Sequence, residues 1–395
     1  MASDYNINFK LRHFFTDPRE FRSVQGQCGA IIQDSINKYN ASGYFGFIER
    51  SIFEGTRLPV LVETTRMTPL VDYLAAEGYE PLDPDPTFAD QENMYSATKV
   101  GVDGEMRKVE LEHYHPVGQL HMIMHTHRPT HKLRFITWNK AYTIFPYEAF
   151  VKETYHLVQS VHLTQSEDAK LWEYVTKVQG TENPECWFCT DGVLEVARDG
   201  PKSITRRIGD SQTWILNFDT TGVTVPETPD AILESSVFEL RQCSSPLVAE
   251  SDGIRVEYPI YESLYVDLGH VVLKHWYVMP LGTGPSVMHK KCAAILKKLE
   301  RLTRLELEKI PGAERPPEYY AFQRGEWDAM HLRYPLTGPG LTLPATWTYY
   351  DDEILADLRD AWESRDEVWE GRRGIFGWVR KIFGDWRQQT RRRSF

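Results

Sequence analysis

The stretch LPVLVE at residues 58–63 has the composition of a buried strand, and it decides the predicted fold. A second apolar run at residues 29–32 predicts another buried strand upstream, and residues 100–114 predict a hairpin turned at an Asp-Gly pair. Residues 68–78 lie between these strands and predict a helix that begins with Thr-Pro and ends at a glycine. Together these elements predict an α+β protein with an α/β-like mixed sheet.

Length and composition limit the functional class. The chain has 395 residues, of which 41% are hydrophobic, and this fraction excludes wholesale disorder. Its 56 acidic residues exceed the 45 Lys and Arg, and the net charge of −11 disfavours a general nucleic-acid binder. No window approaches the ~18 apolar residues of a membrane span, and the first residues lack a signal-peptide pattern. Five scattered cysteines are typical of reduced thiols, so we predict a cytoplasmic protein.

Shifts in composition predict the domain organisation. Residues 1–220 read as a first domain of strands and helices. Residues 221–253 are acidic, contain proline and are weakly periodic, so they predict a linker. Residues 254–350 predict a smaller α+β region that contains a helix from residue 286 to about 309. Residues 351–395 predict an acidic and then basic tail of amphipathic helices.

Four motifs follow one another in the first domain. They are FFxDPxxFRxV from Phe14, GAIIQDS from Gly29, ITWNKAYTIFPxxAF from Ile136 and RIGDSxxW from Arg207. In this order they resemble a fungal group of nucleotidyltransferase-fold proteins, and the resemblance covers roughly residues 14–219. It implies a nucleotidyltransferase-like fold for the first domain.

The resemblance also implies where a nucleotidyltransferase site would lie. Such folds hold a triphosphate at a Gly-Ser turn after the first strand, and an Asp-x-Asp pair on the next strand binds a divalent metal. Here the turn reads Asp34-Ser35, which leaves Ser35 as the nucleotide-binding candidate, and the metal positions fall on Leu58 and Val60. Neither of these two residues can bind a metal. We therefore predict a pseudoenzyme without a cofactor that acts in binding or scaffolding.

Two carboxylates and a group of histidines carry the alternative prediction, an enzyme with a rebuilt Mg²⁺ or Zn²⁺ site. Glu110 and Glu112 are spaced i, i+2, which places both on one face of the third strand. Six histidines lie between residues 113 and 131, and imidazole is a common zinc ligand. The same histidines also suit a pH-sensitive polar patch. The candidate metal ligands are His113, His115, His121 and His125.

The tail carries a third prediction. Residues 351–370 hold nine acids and two bases, whereas residues 371–395 hold eight bases and one acid. The basic part predicts an amphipathic helix that docks on the body or in a dimer, or that contacts an anionic membrane surface or a protein partner. Contact of its terminal arginines with RNA is a further alternative. The candidate contact residues are Arg373, Phe376, Arg380, Lys381, Phe383 and Trp386.

Overall fold

A computed structural model describes thirteen stretches of the chain: residues 6–33, 56–82, 94–114, 118–124, 130, 133–148, 154–160, 195–196, 202–243, 247–251, 254–280, 287–312 and 343–364. The α-helices in these stretches are α1 (Ile7–Leu11), α2 (Pro18–Cys28), α3 (Thr68–Ala76), α4 (Gln119–Met124), α5 (Asp230–Glu234), α6 (Val287–Leu307) and α7 (Asp351–Glu363).

The strands belong to one large sheet, one four-stranded sheet and three two-stranded pairs. They are β1 (Ile31–Gln33), β2 (Arg57–Glu63), β3 (Glu80–Pro81), β4 (Met94–Val100), β5 (Met106–Tyr114), β6 (Arg134–Ile136), β7 (Lys140–Thr143), β8 (Thr154–Tyr155), β9 (Leu157–Ser160), β10 (Glu195–Val196), β11 (Ser203–Arg207), β12 (Trp214–Asn217), β13 (Val237–Gln242), β14 (Leu247–Ser251), β15 (Ile254–Tyr258), β16 (Ile260–Leu264), β17 (Val266–Leu268) and β18 (Tyr277–Met279).

Helix α2 shows how local sequence sets an element. The Asp17 side chain accepts hydrogen bonds from the backbone N–H groups of Arg19 and Glu20, at 2.8 and 3.4 Å. Pro18 occupies the first helical position, where no backbone N–H is needed. Gly29 ends the helix in the left-handed conformation, with φ of 63°. Asp17 and Pro18 therefore set the start of α2, and Gly29 sets its end.

The large sheet has eight strands in the order β12-β7-β6-β1-β2-β5-β4-β3. Strands β2 and β5 are parallel, and every other neighbouring pair in this sheet is antiparallel. The predicted hairpin is β4–β5, and Gly104 in its turn has a positive φ of 78°. The mixed sheet confirms the α+β class.

The two faces of the large sheet pack against different layers. Helices α1 to α3 cover one face, where Phe15 and Phe21 stack with ring centroids 3.9 Å apart. The other face shares a core with the four-stranded sheet, which has the order β11-β13-β16-β9. Phe238 of β13 belongs to this shared core, whereas Val237, on the opposite face of β13, packs with α6 and α7.

The prediction of a linker at residues 221–253 is wrong. This segment contains α5 and β13, and β13 is a central strand of the four-stranded sheet. Two of the acids that suggested a linker share one cation, because the Lys140 ammonium lies 2.7 Å from a carboxylate oxygen of Asp230 and 2.7 Å from one of Glu234. These partners are about ninety residues apart in sequence, so the pairing has no local signal.

Strand pairing also crosses the domain boundary that was predicted at residue 253. Strand β16 follows that boundary, yet it pairs with β13 and β9, which precede it. The predicted helix at residues 286–309 is confirmed as α6, and α7 packs beside it. In the described ranges, no helix is long and apolar enough to cross a membrane.

Candidate functional site

The candidate carboxylates lie on β5, beside the parallel strand β2. In the register of this pair, Pro59 lies opposite Glu110 and Leu61 lies opposite Glu112. Because successive side chains of a strand alternate between faces, Glu110 and Glu112 share one face, as predicted. The candidate site is therefore the face of the β2–β5 pair that carries these two acids.

The structure places Leu58 and Val60 apart from the two acids. Both side chains are fully buried in the core beneath α1 to α3, on the face of β2 that points away from Glu110. The β2 residues that share the face of Glu110 are Arg57 and Pro59. Strand alternation alone does not show which face the helices cover, so the sequence could not tell which residues of β2 share a face with Glu110.

Glu110 is a buried acid between two cations. It is only 4% exposed, its Oε2 contacts Arg57 Nε, and its Oε1 lies 2.7 Å from Lys108 Nζ. Both cations extend into solvent, since the Arg57 side chain is 44% exposed and the Lys108 side chain is 36% exposed. The group carries a net charge of +1, which is the reverse of what a divalent-cation site needs.

Glu112 has neutral neighbours. The Tyr114 hydroxyl, two residues along the same strand, donates a hydrogen bond to the Glu112 carboxylate. On the other side, strand β4 places Met94 opposite Glu112 and Ser96 opposite Glu110. Neither position supplies a further acid. Among the described residues, no group of three or more His, Cys, Asp or Glu is arranged to hold a metal ion.

His113 lies on the other face of β5. It follows Leu111 in the alternation, so it shares the helix-covered side and not the side of Glu110. Its Nδ1 is 3.2 Å from Thr64 Oγ1, and that hydroxyl donates its proton to the Tyr114 carbonyl at 2.7 Å. The Nδ1 contact therefore requires a protonated Nδ1. The strand separates His113 from the two acids.

His121 joins α4 to β17. Its Nδ1 is 2.8 Å from Oδ2 of Asp267, a carboxylate that is 4% exposed and that also accepts the Gly118 backbone N–H at 3.3 Å. The ring of His121 meets the Tyr265 ring edge to face, and burial followed by the charge of Asp267 raises the pKa of Tyr265. The structure thus pairs His121 with Asp267 and does not bring it to Glu110 and Glu112.

The remaining candidates lie outside the described residues. They are Ser35 with its neighbour Asp34, the histidines His115 and His125, and the tail residues Arg373, Phe376, Arg380, Lys381, Phe383 and Trp386.

Sequence reasoning missed Arg57 and Asp267. Strands β2 and β5 are parallel, and Arg57 lies opposite Lys108. Aligning residues 57–63 with residues 108–114 in the sequence would have placed Arg57 on the same face as Glu110. Asp267 had no local signal, since it lies 146 residues from His121.

The motifs in the first half of the chain contact one another. Arg22 donates from Nε to the Trp138 carbonyl at 2.7 Å, and Gln25 donates to the Ile136 carbonyl at 3.1 Å. Burial lowers the pKa of Arg22 to about 10, although the guanidinium also packs over the Phe218 ring. These contacts fasten α2 to the loop and strand around residues 136–140. They give the motif residues a structural role.

Three comparisons with known proteins were negative. No protein-family model matches the chain, and no curated protein and no solved structure matches it significantly. A functional conclusion therefore depends on the geometry around the chain's own residues.

Proposed function

We propose that this protein is a catalytically inactive, nucleotidyltransferase-like protein that works by binding or scaffolding. The observation that carries the proposal is the pairing of Arg57 with Glu110. On the β2–β5 face the positions beside the acids hold a guanidinium and a proline, Arg57 and Pro59. Two carboxylates at i, i+2 would be needed there to hold Mg²⁺ against the phosphates of a nucleotide.

The strand order supports the proposed fold. The resemblance implies a first strand followed by the phosphate turn, then a strand for the metal ligands, then a third strand with a further acid. Strand β1 lies beside β2 in antiparallel register, with Ile31 opposite Leu61, and β5 lies on the other side of β2. The three strands are thus adjacent in the order β1-β2-β5.

A metal at Glu110 would have to displace two cations. Arg57 and Lys108 already occupy both oxygens of this carboxylate, and Glu112 is engaged by Tyr114. A Mg²⁺ ion arriving with its hydration shell would meet a net positive group and, among the residues that the structure describes, no second free acid. The residues present do not fit a divalent metal, so we propose no step through one.

The proposal includes a cytoplasmic location and a protein partner. The described cysteines support the location, because Cys28, Cys243 and Cys292 are all free thiols. Burial raises the pKa of the Cys28 thiol and of the Cys292 thiol to about 11, which makes both poor nucleophiles at neutral pH.

Pyrophosphate release tests the loss of activity. The purified protein is mixed with each of the four ribonucleoside triphosphates and with Mg²⁺ or Mn²⁺, and released pyrophosphate is measured. We expect none above the buffer rate, because no pair of acids holds the metal. Metal-dependent release that disappears in the Glu110→Gln, Glu112→Gln variant would overturn the proposal.

A gain-of-site variant sharpens the test. Arg57→Asp with Pro59→Asp rebuilds two carboxylates at i, i+2 beside Glu110, and we expect it to bind Mn²⁺, measured by electron paramagnetic resonance. The matched control, Arg57→Asn with Pro59→Asn, removes the same side chains without adding charge and should bind none. Stoichiometric Mn²⁺ on the unmodified protein, lost in Glu110→Gln, would contradict the argument.

A further inference from the structure

Helix α6 carries two lysine pairs, Lys290-Lys291 and Lys297-Lys298. The pairs are seven residues apart, which is nearly two turns of an α-helix, so each lysine has a counterpart on almost the same side. One member of each pair faces α7, and the other member lies on the outer surface of α6. The helix therefore repeats one cationic pattern on two of its sides.

The inner lysines hold an acidic helix. Lys291 Nζ lies 2.6 Å from Asp360 Oδ2, and Lys298 Nζ lies 2.7 Å from Asp357 Oδ2 and 3.0 Å from Glu353 Oε2. The order of these contacts makes α7 antiparallel to α6. Beneath the ion pairs the two helices share an apolar core that includes Ile295, Leu299, Ile354 and Leu358.

The outer side of α6 repeats the lysine spacing without an acidic helix. Lys290, Lys297 and Arg301 are exposed, and none of the three makes an ion pair with a residue in the described part of the chain. From residue 290 to residue 301 this outer basic stripe is about 16 Å long at 1.5 Å per residue. Exposed Val287 and Leu305, about five turns apart and on one line of the helix, lie beyond its two ends and about 60° round the helix toward α7.

We propose that the outer basic stripe of α6 binds an acidic helix of a partner protein, with acids spaced as they are in α7. The inner side of α6 shows this fit. There, acids of α7 that follow Glu353 by four and seven residues form ion pairs with two lysines that are seven residues apart. Val287 and Leu305 add exposed apolar surface on the side of the stripe that lies toward α7. The inference deepens the proposed binding function and rests on it only for the premise that the protein acts by binding.

The arrangement of charges around the outer basic stripe favours a single acidic helix as its ligand over a bilayer or a nucleic-acid duplex. Packed helices lie about 8–10 Å apart, which is about one Debye length at physiological ionic strength. A bilayer or a nucleic-acid duplex on α6 would therefore also meet the exposed acids of α7, among them Asp352 and Glu363. The apolar side of α6 is buried in the core, so the helix has no face left to insert into lipid. A single helix can occupy the outer side of α6 alone.

A labelled peptide tests the proposal on the full chain. The probe has the sequence of residues 350–364, is crosslinked to hold a helix, and is titrated by fluorescence anisotropy. We expect Lys290→Glu with Lys297→Glu to weaken binding at least about tenfold, because two attractions become repulsions. The control, Arg12→Glu with Lys202→Glu, makes the same change in net charge at other exposed sites and should leave binding unchanged.

The competing outcomes are distinct. A probe in which the acids of positions 353, 357 and 360 are amides should fail to bind the unmodified protein. Equal binding by the Lys290→Glu, Lys297→Glu variant would overturn the proposal. So would binding of that stripe to phosphatidylserine vesicles or duplex DNA without binding of the peptide. Sedimentation could instead show that the unmodified protein is a dimer and that the Lys290→Glu, Lys297→Glu variant is a monomer. That result would overturn the proposal that the partner is a different protein.

Failure of this proposal differs from failure of the proposed function. The peptide assay reads α6, whereas the pyrophosphate assay reads the β2–β5 face, and the two surfaces share no residue. Peptide binding with pyrophosphate release would reject only the loss of activity. Absence of both would reject only the α6 site.

Discussion

The protein packs helices onto β-structure in two places, and the two layers are held in different ways. The layer of α1 to α3 is held by a buried aromatic cluster around Phe15, Phe21 and Tyr73. The layer of α6 and α7 combines a mainly aliphatic core with ion pairs along its rim, such as Lys298 to Asp357. Buried aromatic contacts do not respond to salt, whereas rim ion pairs do. The first layer is therefore the fixed one, and the second is the one that solution conditions can adjust.

Truncation of the aromatic cluster should have the largest effect. Phe21 is completely buried and stacks on Phe15, so Phe21→Ala should lower the free energy of unfolding by about 3–5 kcal/mol. Urea denaturation measures this. Phe9→Ala is the control, because Phe9 is 59% exposed and should change stability by less than about 0.5 kcal/mol. Equal midpoints for the two variants would remove the distinction between the layers.

Acid should weaken the second layer. His270 is buried against Thr303 of α6, with Nδ1 2.8 Å from Oγ1, and burial lowers its pKa from 6.5 to about 4. Between these two pH values the unfolded chain binds a proton at His270 and the folded chain does not. Stability therefore falls as the pH falls through this window, by about 3 kcal/mol in total.

The comparison with a His270→Gln variant isolates this contribution. Denaturation curves at pH 7 and pH 4.5 give the pH dependence of unfolding for each protein, and the variant should show the smaller loss. An identical loss in both proteins would assign the acid sensitivity to other groups.

Removal of a rim lysine should have the smallest effect. Lys298→Ala breaks the ion pairs to Asp357 and Glu353, which lie at the solvent edge, so we expect a loss of at most about 1 kcal/mol. The loss should shrink further in 1 M NaCl. Lys297→Ala is the matched neighbour and should cost nothing measurable. A loss of several kcal/mol that 1 M NaCl largely removes would show that the rim ion pairs and not the apolar core hold α7.

Local signals carried the parts of the fold that could be predicted. Asp17 and Gly29 set the ends of α2, Gly104 closes the β4–β5 turn, and apolar composition marked β1 and β2. Each of these signals acts within a few residues, so a single sequence contains it. The resemblance to nucleotidyltransferases stays a prediction.

Long-range pairing explains what could not be predicted. Lys140 forms ion pairs with two acids of α5 about ninety residues away, so the acidic stretch that contains α5 and β13 carries no local sign of these contacts. The face of β2 that carries the candidate site depends on which side α2 and α3 pack, and strand alternation allows both. The partnership of His121 with Asp267 likewise exists only in the folded chain.

The position of β12 in the sequence delays completion of the large sheet while the chain is being synthesised. It completes one edge of the large sheet by pairing with β7, but Trp214 follows Thr143 by 71 residues. At about 5–20 residues per second, a ribosome needs roughly 4–14 seconds to add them. Throughout that interval β7 presents an open backbone edge, the kind of surface that recruits other strands. Once β12 has paired, it is itself the outer strand of the described sheet, so we expect chaperone protection of the β7 edge to matter until β12 has been made.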